Sequence, residues 1–168
     1  MLTRNIYLKE FGIKKNKNKI KSRIFKILDF YRNNDLIKSF SKNYDYDFTQ
    51  SEIKNLRKFK NYNLIGMGGS SLGAKAIYSF MKPKIKKSFT FTDNLESIGG
   101  KKKKIKTLNI IISKSGSTLE TISNYSSIKG KKNNIFICEN SENYIRSLSK
   151  KLNFQVINHK NYIGGRYS

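Results

Sequence analysis

The spacing of hydrophobic positions changes character once along the chain. Over residues 20–42, Ile20, Ile24, Ile27, Leu28 and Tyr31 recur at helical spacing and Leu36, Ile37 and Phe40 continue the run. This predicts one or two amphipathic helices. The stretch "SEIKNLRKF" predicts a further short helix, with Ser51 as its candidate cap. From residue 61 short apolar runs alternate with helical ones. "YNLIGM", "SFTFTD", "LNIIIS", "NIFIC" and "FQVIN" read as strands. "SLGAKAIYSFM", "TLETISNYSSI" and "SENYIRSLSKKL" read as helices, and "ESI" as a helical turn at most. Such alternation predicts an α/β fold: a five-stranded parallel sheet with helices on both faces, doubly wound, preceded by an N-terminal helical segment over residues 1–60. "LNIIIS" lacks polar alternation, as a strand buried on both faces should. The chain closes on "HKNYIGGRYS", which reads as a loop-like tail.

Length and composition fit this outline. The 168 residues suit one domain able to bury about 70% of its unfolded surface. No apolar run approaches the length of a membrane-spanning helix, and "MLTRNIYLKEFGIKK" lacks the apolar block of a secretory leader. The single cysteine, Cys138, sits in the run "NIFICE" and reads as a buried strand thiol, so no disulfide is expected and a cytoplasmic location is.

A net charge of +24 invites a nucleic-acid reading. Most of it is lysine, accompanied by much asparagine and isoleucine. These residues share A- and T-rich codons, so a biased genome yields the same balance. The lysine runs at residues 14–21, 101–104 and 129–132 are scattered, and the last two fall between predicted elements. No aromatic stacking signature accompanies them, so solvated surface is the favoured reading.

Two glycine- and hydroxyl-rich loops follow strands. The first runs from Gly66 to Gly73; the second is "SKSGST", Ser113 to Thr118. Ser117, Thr118, Leu119 and Glu120 match a capping box, which predicts Ser117 as helix cap with Glu120 reaching back. A helix N-terminus there favours an anion, Ser113, Ser115 and Thr118 add hydroxyl donors, and Gly116 permits a close turn. Ser70 or Ser71 is the candidate cap of the first helix. In a sheet of order 2-1-3-4-5 the helices after strands one and three leave to opposite faces, so both loops meet at the crevice that opens there. A P-loop would need Lys and Ser or Thr after Gly73, where Ala74 and Lys75 stand. A dinucleotide fingerprint from Gly66 fails at Ser71, and Asp93 fits the ribose role poorly. Tight, capped turns without a ligand remain the plain alternative.

"IGMGGSSLG", "SKSGSTLET" and "GGRYS", in that order, resemble three motifs of the glucose-6-phosphate isomerase family. The resemblance spans residues 64–168, with residues 1–60 as a divergent lead-in. It implies the sugar-isomerase fold, with Ser113, Lys114, Ser115 and Thr118 as phosphate ligands, Lys114 through its backbone. Gly69 and Ser70 match residues beside the sugar. Arg166 matches the arginine that stabilises the enediolate, a role suited to a permanently cationic guanidinium. Ser117 stands where the family usually has threonine.

The family moves a proton between C2 and C1 using a glutamate base, with a histidine and a lysine assisting ring opening. All three lie beyond "GGRYS", outside these residues. His159, the sole histidine, matches no family position and reads as an ordinary loop residue. The chain therefore resembles the N-terminal part of such an isomerase, with a domain over 61–168 that stops after "GGRYS". The expectations are a sugar-phosphate substrate, no cofactor, no metal, no specific nucleic acid, no membrane, and a homodimer for the full-length family. A stand-alone sugar-phosphate-binding regulatory domain is the runner-up; a basic nucleic-acid-binding protein is the third reading.

Overall fold

The structure, a computed structural model, describes residues 17–32, 34–95, 106–128 and 133–165. The expected turn at "ESI", the lysine runs at 101–104 and 129–132, and Arg166 lie outside the described residues.

Two compact units divide the chain, Met1–Tyr44 and Asp45–Ser168. The first contains α1 (Lys17–Arg32) and α2 (Asp35–Lys38), the latter capped by the Asn34 side chain accepting from Leu36 N. These are the two amphipathic helices the spacing predicts.

The second unit opens with α3 (Gln50–Leu56). Its cap is Thr49 rather than Ser51: Thr49 Oγ1 accepts from Glu52 N at 3.2 Å, and the Glu52 carboxylate accepts from Thr49 N at 2.7 Å. The reciprocal pair needs a glutamate three residues after the hydroxyl, and only Thr49 has one. The sheet follows as β1 (Asn61–Ile65), β2 (Ser88–Thr92), β3 (Thr107–Ile112), β4 (Asn134–Glu139) and β5 (Gln155–His159). The connecting helices are α4 (Gly69–Met81), α5 (Leu119–Ser126) and α6 (Tyr144–Leu152). All pairings are parallel and the order is β2-β1-β3-β4-β5, as the pattern predicts. His159 closes β5 instead of lying in the tail, its Nδ1 2.8 Å from the Lys160 carbonyl.

The sheet buries both faces. On one, Ile65, Ile111, Phe136 and Cys138 pack with Tyr125 of α5 and Ile145 of α6. On the other, Tyr62, Leu108 and Ile135 pack with Phe59 and Leu56. Tyr78 of α4 joins that second face through Phe89, their ring centroids 5.0 Å apart. Helices α4 and α5 therefore lie on opposite faces, which opens a crevice between the carboxyl ends of β1 and β3. The segment before β1 also belongs to this unit: the Asp47 carboxylate accepts from Asn158 N at 2.6 Å, and Gln155 Nε2 donates to Glu52 at 2.7 Å. These contacts cover the β5 edge with polar groups, a common protection for an exposed strand.

A polar ladder crosses the buried sheet. Thr92 Oγ1 donates to Asn63 Oδ1 (3.3 Å), Asn63 Nδ2 to Asn109 Oδ1 (3.4 Å), Asn109 Nδ2 to Asn134 Oδ1 (2.9 Å) and Asn134 Nδ2 to the Tyr125 hydroxyl (3.2 Å). Among the described residues no helix is long and apolar enough to cross a membrane.

Burial raises the Cys138 thiol above its ordinary 9.0, against the opposing pull of the Arg146 charge and hydrogen bonds from Asn143 and Arg146; burial likewise raises the Tyr125 phenol above 10.0. Both groups are then held neutral in the native state, so their contribution is whole below pH 9 and lost as pH rises through the raised values. Denaturation midpoints are expected to fall above pH 9, and Cys138→Ala should flatten the first part of that decline. A thiol reagent should label Cys138 only on unfolding, since the residue is fully buried.

Candidate functional site

The two glycine-rich loops lie at the carboxyl ends of β1 and β3, and the first presses against the last residue of β3. A Cβ built on Gly66 would sit 2.9 Å from the Ile112 carbonyl and 3.0 Å from Ser70 Cβ. Only a glycine lets the turn after β1 press against the last residue of β3. Gly66 N is bonded to Thr92 O of β2 at 3.2 Å, which ties the turn to the neighbouring strand.

Helix α4 starts at Gly69, and Gly68 is its cap, at φ +53°, with no side-chain hydrogen bond. Ser70 and Ser71 lie inside the first turn and do not cap it. Ser71 is buried, with its hydroxyl donating back to Gly68 O at 3.2 Å. The glycine-rich turn runs straight into helix, leaving no extended position for a serine cap. Gly69 and Ser70 are half-buried at this helix start, Ser70 N bonded to Met67 O at 3.1 Å. Asp93, just past β2, pairs with Lys75 of α4.

The second loop is built around Ser113, 1% exposed at the end of β3. Ser113 Oγ lies 2.9 Å from Thr118 Oγ1 and accepts from Gly116 N at 3.1 Å, so one hydroxyl ties both ends of the loop. Gly116 adopts φ +67°. A Cβ there would lie 2.8 Å from Asn143 Cβ and overlap the Asn143 amide. Asn143 in turn caps α6, its Oδ1 accepting from Arg146 N at 2.9 Å, and Ile145 N donates to Gly116 O at 3.0 Å. The N-terminus of α6 thus supports the loop from behind.

The capping box read from Ser117 and Glu120 does not form. Thr118 is the cap of α5 and makes no side-chain cap bond. Ser117 Oγ instead donates to Ser115 Oγ at 3.2 Å, and Ser115 Oγ also accepts from Ser117 N at 3.4 Å. The Ser113–Thr118 contact draws residue 118 to the helix start and so displaces Ser117 by one position. Among the described residues the first turn of α5 therefore has no side-chain cap bond, while Ser115 is exposed and Thr118 half-buried beside it. That arrangement suits a small anion: helix amides, a favourable dipole end and adjacent hydroxyls.

Lys114 points elsewhere. Its carbonyl accepts from Glu139 N at 2.9 Å; its ammonium donates to Asn161 O at 2.6 Å and lies 3.5 Å from Glu139 Oε1. The tail after β5 passes close by, since a Cβ on Gly164 would come 2.9 Å from Lys114 Nζ. The described part of the third motif, Gly164 and Gly165, is thereby brought beside the second loop.

Residues that the sequence reading missed are Asn143, Glu139 and Asn161. Asn143 carried a signal, a cap-type residue immediately before a helical run; its contact with Gly116 is non-local and carried none. Among the described residues no cluster of His, Cys, Asp or Glu could hold a metal ion.

No family model matches the chain. Among curated proteins it is similar to glucose-6-phosphate isomerase of Methanocaldococcus jannaschii, 33% identical over 138 residues, covering 73% of this chain and 33% of that protein. It is also similar to glucose-6-phosphate isomerase of Borrelia garinii subsp. bavariensis, 44% identical over 81 residues, 42% of this chain and 15% of that protein. The enzyme of Borreliella afzelii is 35% identical over 133 residues, 68% of this chain and 25% of its own length. The matches thus span a third or less of these relatives. Among solved structures, a hypothetical protein from Thermus thermophilus superposes with a TM-score of 0.60 at 21% identity, over 90% of this chain and 43% of that one. This is a likeness of fold.

Proposed function

From a chain related to the glucose-6-phosphate isomerases, we propose that these residues form the sugar-phosphate-binding part of such an isomerase, acting in the cytoplasm on glucose 6-phosphate and fructose 6-phosphate. The observation that carries the reading is the placement of the two loops at the ends of adjacent strands, with Gly66 against Ile112 of β3 and the start of α5, which has no side-chain cap, beside Ser115 and Thr118. Phosphate is held by the first-turn amides of α5 and by the hydroxyls of Ser115 and Thr118, with Ser113 bracing the loop beneath them. Gly69 and Ser70 border the sugar, and Arg166 stabilises negative charge on the enediolate oxygen.

The proton transfer itself needs a general base, and Glu120 is poorly suited to it on the helix start that would hold phosphate, where its own charge opposes the anion. No counterpart of the family's base or its ring-opening pair is identified in these 168 residues. The chain by itself is therefore expected to bind sugar phosphate without isomerising it. Turnover of glucose 6-phosphate by the pure 168-residue chain would contradict that expectation.

Calorimetry with 6-phosphogluconate, whose carboxylate stands in for the enediolate, tests the reading against gluconate and inorganic phosphate. The salt should be near physiological strength, where general attraction to lysine is screened beyond about 8 Å. The sugar phosphate should bind tightest. Ser115→Ala with Thr118→Val should weaken it by about tenfold per lost charge-assisted bond. Equal weak binding of all three anions would overturn the reading.

A further inference from the structure

Resting on that reading, we propose that Lys114 is a positioning residue: its ammonium latches the tail after β5 across the phosphate loop and fixes where the chain passes into its third motif. The ammonium has three donors. One goes to the Asn161 carbonyl at 2.6 Å, and a second faces the Glu139 carboxylate at 3.5 Å. The Gly164 backbone passes so near that a Cβ would stand 2.9 Å from Nζ. A side chain at 164 would crowd the ammonium and require it to shift.

The groups are brought together by the ends of neighbouring strands of one sheet. Lys114 lies two residues past the end of β3, and its carbonyl is bonded to Glu139 N at the end of β4 at 2.9 Å. Glu139 is in turn the register partner of His159, the last residue of β5, two positions before Asn161. Three adjacent strand ends therefore converge on one ammonium. The tail is closed by a turn, Ile163 N to Lys160 O at 3.2 Å. The third donor could face an anion, but the Glu139 carboxylate beside it would repel that anion. A latch meets no such opposition.

The two roles give opposite signs for Glu139→Gln. If Lys114 is a latch, losing the carboxylate loosens it, and affinity for 6-phosphogluconate falls about threefold to fivefold, the range expected of a partly exposed ion pair. Affinity for inorganic phosphate, which does not engage the third motif, stays the same. If the ammonium binds the anion directly, the same variant frees it and both anions bind more tightly. Hydrogen exchange of the amides in residues 161–165 supplies a readout that needs no ligand: Lys114→Met should speed it about fivefold, and Lys114→Arg should keep it slow. Unchanged exchange in Lys114→Met, or tighter anion binding in Glu139→Gln, would overturn the latch. Should the wild-type chain bind no sugar phosphate, the functional reading falls, and the exchange measurement still decides the latch.

Discussion

Gly116→Ala should abolish measurable sugar-phosphate binding and destabilise the sheet unit by about 3 kcal/mol. Two separate penalties combine. The residue sits at φ +67°, where an L side chain costs about 1–2 kcal/mol. The new Cβ also overlaps the Asn143 amide, so either the loop or the cap must move. Moving Asn143 sacrifices the cap of α6, worth about 1 kcal/mol. Moving the loop breaks the Gly116 bonds to Ser113 Oγ and from Ile145 N, which hold the start of α5 in place. Either way the amides proposed to receive phosphate lose their alignment, and binding should weaken more than stability alone suggests. Gly68→Ala is the control. It has a positive φ, +53°, with ψ −121°, outside the left-handed helical well, and nothing lies within 4 Å of the new Cβ, so it should show a backbone penalty of about 1–3 kcal/mol with no clash. Adding Asn143→Gly to Gly116→Ala should recover part of the binding, because it removes the overlap. Thermal denaturation and calorimetry on the three variants check these outcomes.

Asn109→Ala should lower stability by about 3 kcal/mol, a fall in Tm of roughly 10 °C for a unit of this size. Asn109 is buried at the centre of the ladder and bonds Asn63 on one side and Asn134 on the other. Alanine removes the acceptor for Asn63 Nδ2 and the donor to Asn134 Oδ1, and leaves a void between them. Lost partners in a dry interior cost more than the same bonds are worth in water. Asn109→Leu fills the void and still removes both partners, so it should recover only the packing share. Changing Asn63 as well should add less than its own single-variant cost, because its side chain has by then lost its Asn109 acceptor. Chemical denaturation of the single and double variants measures that coupling.

Periodicity made the strand order and the two-faced sheet legible, because each is written in consecutive residues: "LNIIIS" announces a central strand by its lack of alternation. The crevice that holds the candidate site was legible for a related reason. A doubly wound order forces the loops after β1 and β3 together, and both loops carry glycine and hydroxyls in short runs. Cap identity was less so. Ser51 and Ser117 both looked suitable, but Thr49 has the reciprocating glutamate in α3, and the buried Ser113–Thr118 contact sets the start of α5. The contacts that support the loop were not legible. Asn143 meets Gly116 across 27 positions, and Lys114 meets Asn161 across 47, separations over which no local pattern reports.

The most direct test of the central claim is an amide chemical-shift titration of the uniformly labelled chain with 6-phosphogluconate, with gluconate alongside. A phosphate site at the start of α5 predicts saturable shifts in the amides of residues 113–121 with the phosphorylated acid and none there with gluconate. Shifts gathered on lysine-bearing surfaces such as α1, with residues 113–121 unmoved, would contradict it.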